Sequence, residues 1–361
     1  MGKPLGTHRA HTSVSASRGK PFDYNDLTSW VTAGIRPASK YLSTEVDMTR
    51  VLRKSFRFFC IAVLTSAAMA APIASSVRPA IPSQVQQIIC VDYRALKNSD
   101  TAQALKAQVL PENLKQFETA LKGIGIDPDR DVDTLTFISY RNPKQGLEVV
   151  GAAQGVFATK AVLRKLRLHK VRPVKYRDAD VYPMNGGMEM SFLDETTLLF
   201  GGGSALRGSL DARDGYTTTL DSNPEIANLI GDAESGAVWS ILDQKGTQNM
   251  LLSALGDASR LADYDTVKKR ILGSRYTMNF SNGVNFDLDV ITSDSVTAAT
   301  LSSLVKAGVL YRKMTASAVE KNALEDVSVN SDSSKLQMHF KADDKQFQSL
   351  IHTSLFAAVS R

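Results

Sequence analysis

The 361-residue chain is poor in the residues that most often announce chemistry: two cysteines, five histidines and two tryptophans. Of the cysteines, only Cys90 follows the N-terminal 71 residues, so the body of the protein has no internal disulfide. Cys90 stands in the apolar run Ile88-Ile89-Cys90-Val91 and reads as a small buried hydrophobe. The body's histidines, His169, His339 and His352, have no second His or Cys at metal-ligand spacing. A surplus of one charge is also missing. The chain carries 43 Lys and Arg against 37 Asp and Glu, and ten of those cations and four of those acids precede residue 72. The remaining body holds 33 of each. Nucleic-acid binding needs a basic face that displaces counterions, and these totals do not call for one. No cofactor is expected and no nucleic-acid partner.

Long hydrophobic runs are absent too. The most apolar stretch, Phe58 to Leu64 with small residues up to Ala70, falls short of the about 20 residues that span a bilayer. Its flanks give it another meaning. Arg50, Arg53, Lys54 and Arg57 precede it, and Ala68-Met69-Ala70 follows as an A-x-A cleavage site before Ala71. That order predicts a secretory signal peptide over 48–70, cut between Ala70 and Ala71, and an exported protein, periplasmic or extracellular. Cys60 lies inside the apolar segment rather than at its boundary, so lipidation is not expected. Residues 1–47, rich in Ser, Thr, Gly and Pro, read as a start placed too early, with Met48 the true one, or as a disordered extension. If the segment stays uncleaved, it is the only expected membrane contact.

The body is of ordinary globular composition. After a linker over 71–85, two similar α+β units are predicted, 86–215 and 216–361. Each reads strand, helix, hairpin, helix, hairpin, helix. In the first, strands at 88–93, 134–140 and 147–152, and two or three more over 174–183 and 188–201, alternate with helices at 99–110, 112–121 (stopping near Gly123), 159–168 and 204–212. In the second, helices at 224–230, 247–255, 295–314 and 343–356 alternate with strands at 237–243, 275–280, 284–291, 324–330 and 335–341. Ser281-Asn282-Gly283 is a strong hairpin turn. Such hairpins covered by helices give antiparallel sheets in layers, an α+β fold.

Four motifs come near to chemistry. The stretch LLFGGGSALRG, Leu198 to Gly208, places a strand, three glycines, a serine and a helix in order. A phosphate loop needs Lys where Ser209 stands; a dinucleotide fingerprint needs Gly at Leu206; a nucleophile elbow needs Gly there as well. The plain reading is a strand end whose glycines take positive φ, with Ser204 capping the helix. Asp127, Asp129 and Asp131 alternate as calcium ligands do, but Val132 and Ile138 stand where that loop needs Gly and Glu, so capping of backbone amides is the simpler role. Ser303 and Lys306 make an S-x-x-K without its companion motifs. Lys165, Arg167, Lys170, Arg172, Lys175 and Arg177 form the densest basic run, readable as a solvated face or as a seat for an anionic glycan or lipid headgroup. Tyr176, Tyr182 and Phe192 follow strand spacing and are expected in the core.

The ordering Gly125-Ile126-Asp127-Pro128, Asp131-Val132-Asp133, Val149-Val150-Gly151, Asp180-Val181-Tyr182 and Phe192-Leu193-Asp194 with Gly201 resembles uncharacterised exported bacterial proteins built from repeated α+β units. The resemblance covers about residues 86–215 and implies no catalytic residue. The expected function is an exported, non-enzymatic cell-envelope protein that binds a ligand or protein partner. The alternatives are a secreted hydrolase with a site near Ser204 and a membrane-anchored structural protein.

Overall fold

A computed structural model describes residues 72–350 apart from 110–111, 256–263 and 282. The signal segment, the Ala70–Ala71 cleavage site, Asn282, His352 and the end of the last helix lie outside the described residues.

The first half runs β1 (Val85–Asp92), α1 (Tyr93–Lys97), α2 (Asp100–Val109), α3 (Glu112–Ile124), α4 (Pro128–Asp131), β2 (Val132–Asn142) and β3 (Gly146–Gly155). It continues with α5 (Thr159–Leu168), β4 (Val174–Tyr176), β5 (Ala179–Pro183), β6 (Met188–Phe192), β7 (Thr197–Gly202) and α6 (Gly203–Arg213). After α7 (Pro224–Ala233) come β8 (Val238–Asp243), α8 (Gln244–Leu255), α9 (Tyr264–Lys268), β9 (Ile271–Asn279) and β10 (Val284–Thr292). The chain then forms α10 (Ser295–Thr315), α11 (Ala318–Glu325), β11 (Val327–Asp332), β12 (Lys335–Ala342) and α12 (Asp344–Leu350).

All strands join one twelve-stranded sheet in the order β11-β12-β10-β9-β8-β1-β2-β3-β7-β6-β5-β4, and the recorded pairings are antiparallel. The fold is α+β. The two halves meet where β1 pairs with β8, Cys90 opposite Trp239 and Ile88 opposite Ile241. Every residue of β1 is buried, which requires apolar side chains on both faces; Ile88 and Cys90 supply one, Ile89 and Val91 the other. Polar ties cross the same joint. Gln87 Nε2 donates to Ser240 Oγ at 3.2 Å, and Arg141 reaches Gln86 Oε1 and Asp243 Oδ2, each at 2.7 Å.

Opposed residues of a ladder share a face, so the pairings say where the helices lie. Ile89 is opposite Phe137 and Ser240, and Ser240 is opposite Tyr276. Val162 and Leu166 of α5 cluster with Ile89 and Phe137, and Leu301 and Leu304 of α10 cluster with Tyr276. Both helices therefore cover one face. On the other, Leu206 and Leu210 of α6 and Ile226 and Ile230 of α7 pack on Ile88, Ile138 and Ile241.

Several expectations are corrected by packing or by a cap. The predicted linker over 71–85 is part of the core along its described length: Val77 and Ile81 are fully buried, and the Ile81 carbonyl accepts from the Leu220 amide at 2.8 Å. The two or three strands predicted over 174–183 and 188–201 are four, β4 to β7, because the first stretch turns as a hairpin at Arg177, whose φ is 53°. Helix α3 runs past Gly123 to Ile124 and is stopped by Gly125, φ 96°, after which the Ile126 amide bonds back to the Leu121 carbonyl at 3.0 Å. Asp294 caps α10 and accepts from the Thr297 amide at 2.7 Å. The unpredicted α11 has a capping box between Ser317 and Glu320.

Trp239 fills the joint and is fully buried. Trp239→Ala is expected to cost about 3–5 kcal/mol, lowering the urea midpoint of a single unfolding transition seen by both tyrosine fluorescence and circular dichroism. Two separate transitions would show that the halves unfold independently.

Candidate functional site

The strongest concentration of one charge lies along α5 and the chain that follows it. Residues 156–177 hold eight Lys and Arg, one His and no acid. Since the body holds 33 residues of each sign, the rest of it is left with a negative balance. The helix period extends the basic run noted from Lys165 back to Lys160 and Arg164. Val162 and Leu166 point into the core, so Lys160, Arg164 and Arg167, at i, i+4 and i+7, make a stripe on the opposite side. All three are exposed.

No acid occupies the first turn of α5, while Lys165 and Arg167 in its last turn suit the negative end of the helix dipole. The helix stops in a Schellman arrangement: the Lys170 amide bonds to the Arg167 carbonyl at 3.0 Å and the Val171 amide to the Leu166 carbonyl at 2.9 Å. Lys170 takes the left-handed position, φ 59°, usually given to glycine. A residue with a Cβ there costs roughly 1–2 kcal/mol. Lys170 and Arg177 are two of the three non-glycine residues with positive φ among the described residues.

The pairing along the run is uneven. Lys175 lies 3.1 Å from Asp180, and Arg177 lies 3.1 Å from Asp211, which also accepts from the Tyr176 hydroxyl at 2.9 Å. The Arg177 guanidinium stacks 3.7 Å from the centre of the Tyr216 ring. Among the described residues, Lys160, Arg164, Lys165, Arg167, Lys170 and Arg172 form no ion pair. A shallow concavity of about 570 Å³ opens beside them, lined by Phe157, Ala158, Thr159, Lys160, Ala161, Arg164, Arg167 and Glu195. Large apolar side chains stand exposed at both ends of the helix, Val156 at 75% and Leu168 at 77%.

The glycine stretch takes a different role. Only Gly201 of its three consecutive glycines has positive φ, 158°. Ser204 does not cap the helix; α6 starts at Gly203, with Gly202 at the cap position and no side-chain cap. The start of α6 is the place where a phosphate would be held, and the protein's own carboxylate lies there. A Cβ on Gly203 would come 3.0 Å from Glu189 Oε2 and 2.5 Å from Arg207 Nη1. Arg207 pairs with Glu189 at 2.9 Å. Gly208 admits Tyr140, whose hydroxyl donates to the Ala205 carbonyl at 2.8 Å and would lie 2.2 Å from a Cβ at that position. His169 ends α5 on the opposite sheet face from α6, and His339 bonds Asp287 at 2.7 Å in the second half, so neither is a base for Ser204.

The remaining candidates do local work. Asp127 accepts from the Asp129 amide at 3.2 Å, and Asp131 accepts from the Asp127 amide at 2.8 Å. The Arg130 guanidinium holds the Asp131 carboxyl below the usual carboxylate range. Asp129 receives the Tyr93 hydroxyl at 3.4 Å. Among the described residues no three His, Cys, Asp or Glu side chains gather to hold a metal ion. Ser303 donates to the Ala299 carbonyl of its own helix at 3.0 Å. Burial pushes the Cys90 thiol up to about 12, keeping it protonated and unreactive at neutral pH. Tyr182 is buried, and Tyr176 and Phe192 are half-buried against the core.

No helix among the described residues is long and apolar enough to cross a membrane. No protein-family model matches the chain, and no curated protein matches it. It is similar to two solved structures of TP0453, crystal forms I and IV, with TM-scores of 0.42 and 0.40 and 8% identity to each. The likeness covers 77% and 76% of this chain and 96% of each of those chains.

Two substitutions check the reading of the glycine stretch. Ser204→Ala is expected to change stability by no more than about 0.5 kcal/mol, whereas Gly208→Ala collides with Tyr140 and costs about 1–3 kcal/mol in urea unfolding. A large loss from Ser204→Ala would restore a role for that hydroxyl. At the end of α5, Lys170→Gly relieves the left-handed strain and is expected to raise the unfolding free energy by about 1 kcal/mol. No gain would mean that the Lys170 side chain stabilises the fold through contacts of its own.

Proposed function

We propose that this is an exported, non-enzymatic envelope protein that holds an anionic partner against its cationic end, the surface made by α5 and residues 169–173. One observation carries the reading: six cations of an acid-free run stand without ion partners on a body that is otherwise neutral to acidic. Evenly mixed surface charge is the ordinary outcome of solubility, and a segregated patch of one sign raises the local concentration of oppositely charged ligands. The strained Lys170 adds to this, because backbone strain tends to persist where a side chain is needed in place. Export rests on the three-part segment at 48–70.

We also read the two halves as copies of one unit. With the hairpin strands β4 and β5 left out of the count, β1-β2-β3-β7-β6 and β8-β9-β10-β12-β11 both follow the order first, second, third, fifth, fourth, and the halves join first strand to first strand. Only the first copy carries the extra hairpin strands β4 and β5 at the sheet edge, next to the basic run.

Heparin, a soluble sulfated polymer, tests the anion-binding surface. The chain is expected to be retained on immobilised heparin, and the Arg164→Ser, Arg167→Ser, Lys170→Ser triple variant to elute at lower salt. The dependence of log affinity on log salt should lose about one unit of slope per cation removed. Lys321→Ser, an exposed cation in the other half, should elute unchanged. Equal elution of the triple variant and the wild-type chain would place anion binding elsewhere.

A further inference from the structure

We propose that the partner is an anionic phospholipid surface, with α5 lying along the headgroup plane; this rests on the cationic end being the binding surface. Charge alone would suit a soluble polyanion equally. The apolar residues among the cations favour the membrane. Leu168 is 77% exposed at the last turn of α5, one helical turn beyond Arg164, and Val156 is 75% exposed just before the helix begins. A polyanion reads cations and hydrogen-bond donors and leaves both apolar side chains in water. A bilayer interface accepts both kinds of group, since cations bind phosphates while an adjacent leucine enters the boundary with the acyl chains.

The dimensions agree. Helix α5, with ten residues, is about 15 Å long. That length places Lys160, Arg164 and Arg167 on one row of headgroups with Leu168 at its end. Their aliphatic stems can lie along the interface while the charged ends stay with the phosphates. The shallow concavity beside the stripe, with Phe157 and Ala161 in its lining and three cations, Lys160, Arg164 and Arg167, against the one acid Glu195, leaves room for a headgroup.

The test is co-sedimentation of the full chain with vesicles of phosphatidylcholine alone, or of phosphatidylcholine and phosphatidylglycerol in equal parts. Residues 48–70 are the same in every variant and cancel from the comparisons. The wild-type chain is expected to prefer the mixed vesicles. The triple variant at Arg164, Arg167 and Lys170 should lose affinity by about fivefold per cation. Leu168→Ser should weaken vesicle binding by about five- to tenfold and leave heparin elution where it was. Heparin retention without preference for anionic vesicles would overturn the lipid proposal and leave an anionic polymer as the partner. Loss of both would overturn the anion-binding reading as well. Vesicle binding that ignores lipid charge and all these substitutions would also overturn the proposal, assigning attachment to the apolar segment before residue 71.

Discussion

The pairing of β1 with β8 is the constraint on which the rest of the molecule depends. β1 has a neighbour on each side and helices over each face, so none of its eight residues reaches solvent. A strand in that position must be apolar in both directions and must satisfy its polar groups within the sheet. Ile88 to Val91 meets the first demand. The ladders to β2 and β8, with Gln87 on Ser240, meet the second. Two sets of hairpins that could each have formed a small sheet with an open edge instead share one, and both inner edges disappear.

That continuity explains how a neutral body comes to have a strongly basic end. Helix α5 is held by Val162 and Leu166, and its amphipathic period turns every cation on the opposite side outward. The loop after it cannot continue the helix once Lys170 enters the left-handed region, and Pro173 precedes the short edge strand. The later cations of the run are neutralised by Asp180 and Asp211, while the earlier ones, which share a concavity with Glu195, form no ion pair among the described residues. The charge is therefore concentrated by the placement of a few acids rather than by composition, and it gathers where the sheet ends and two large apolar side chains stand in water.

The glycine stretch shows how a local pattern and a tertiary role can part. Strand, glycines and helix suggest a place for a ligand's phosphate, and the start of α6 has the amide geometry for one. Glu189, brought in from β6, lies against it and is tied to Arg207 one turn along the helix. The second glycine of the pattern, Gly208, makes room for Tyr140 from β2. Neither partner is near in sequence, and no local signal could have named them.

Element type was legible from the chain itself wherever a period was strong: α5 over 159–168, the β9–β10 hairpin and the covering helices follow from the alternation or the 3.6-residue spacing of their apolar residues. The burial of Cys90, the acid-free basic run and the turn-and-cap role of Asp127 to Asp131 were legible for the same reason, because each rests on neighbours a few residues away. The joining of the halves into one sheet, the packing of residues 72–84 into its core, the carboxylate at the start of α6 and the lack of ion pairs at Lys160 to Arg172 among the described residues were decided only by the tertiary structure. Those features depend on which strand lies beside which, and pairing over many tens of residues is set by the burial of whole faces rather than by any local sequence period.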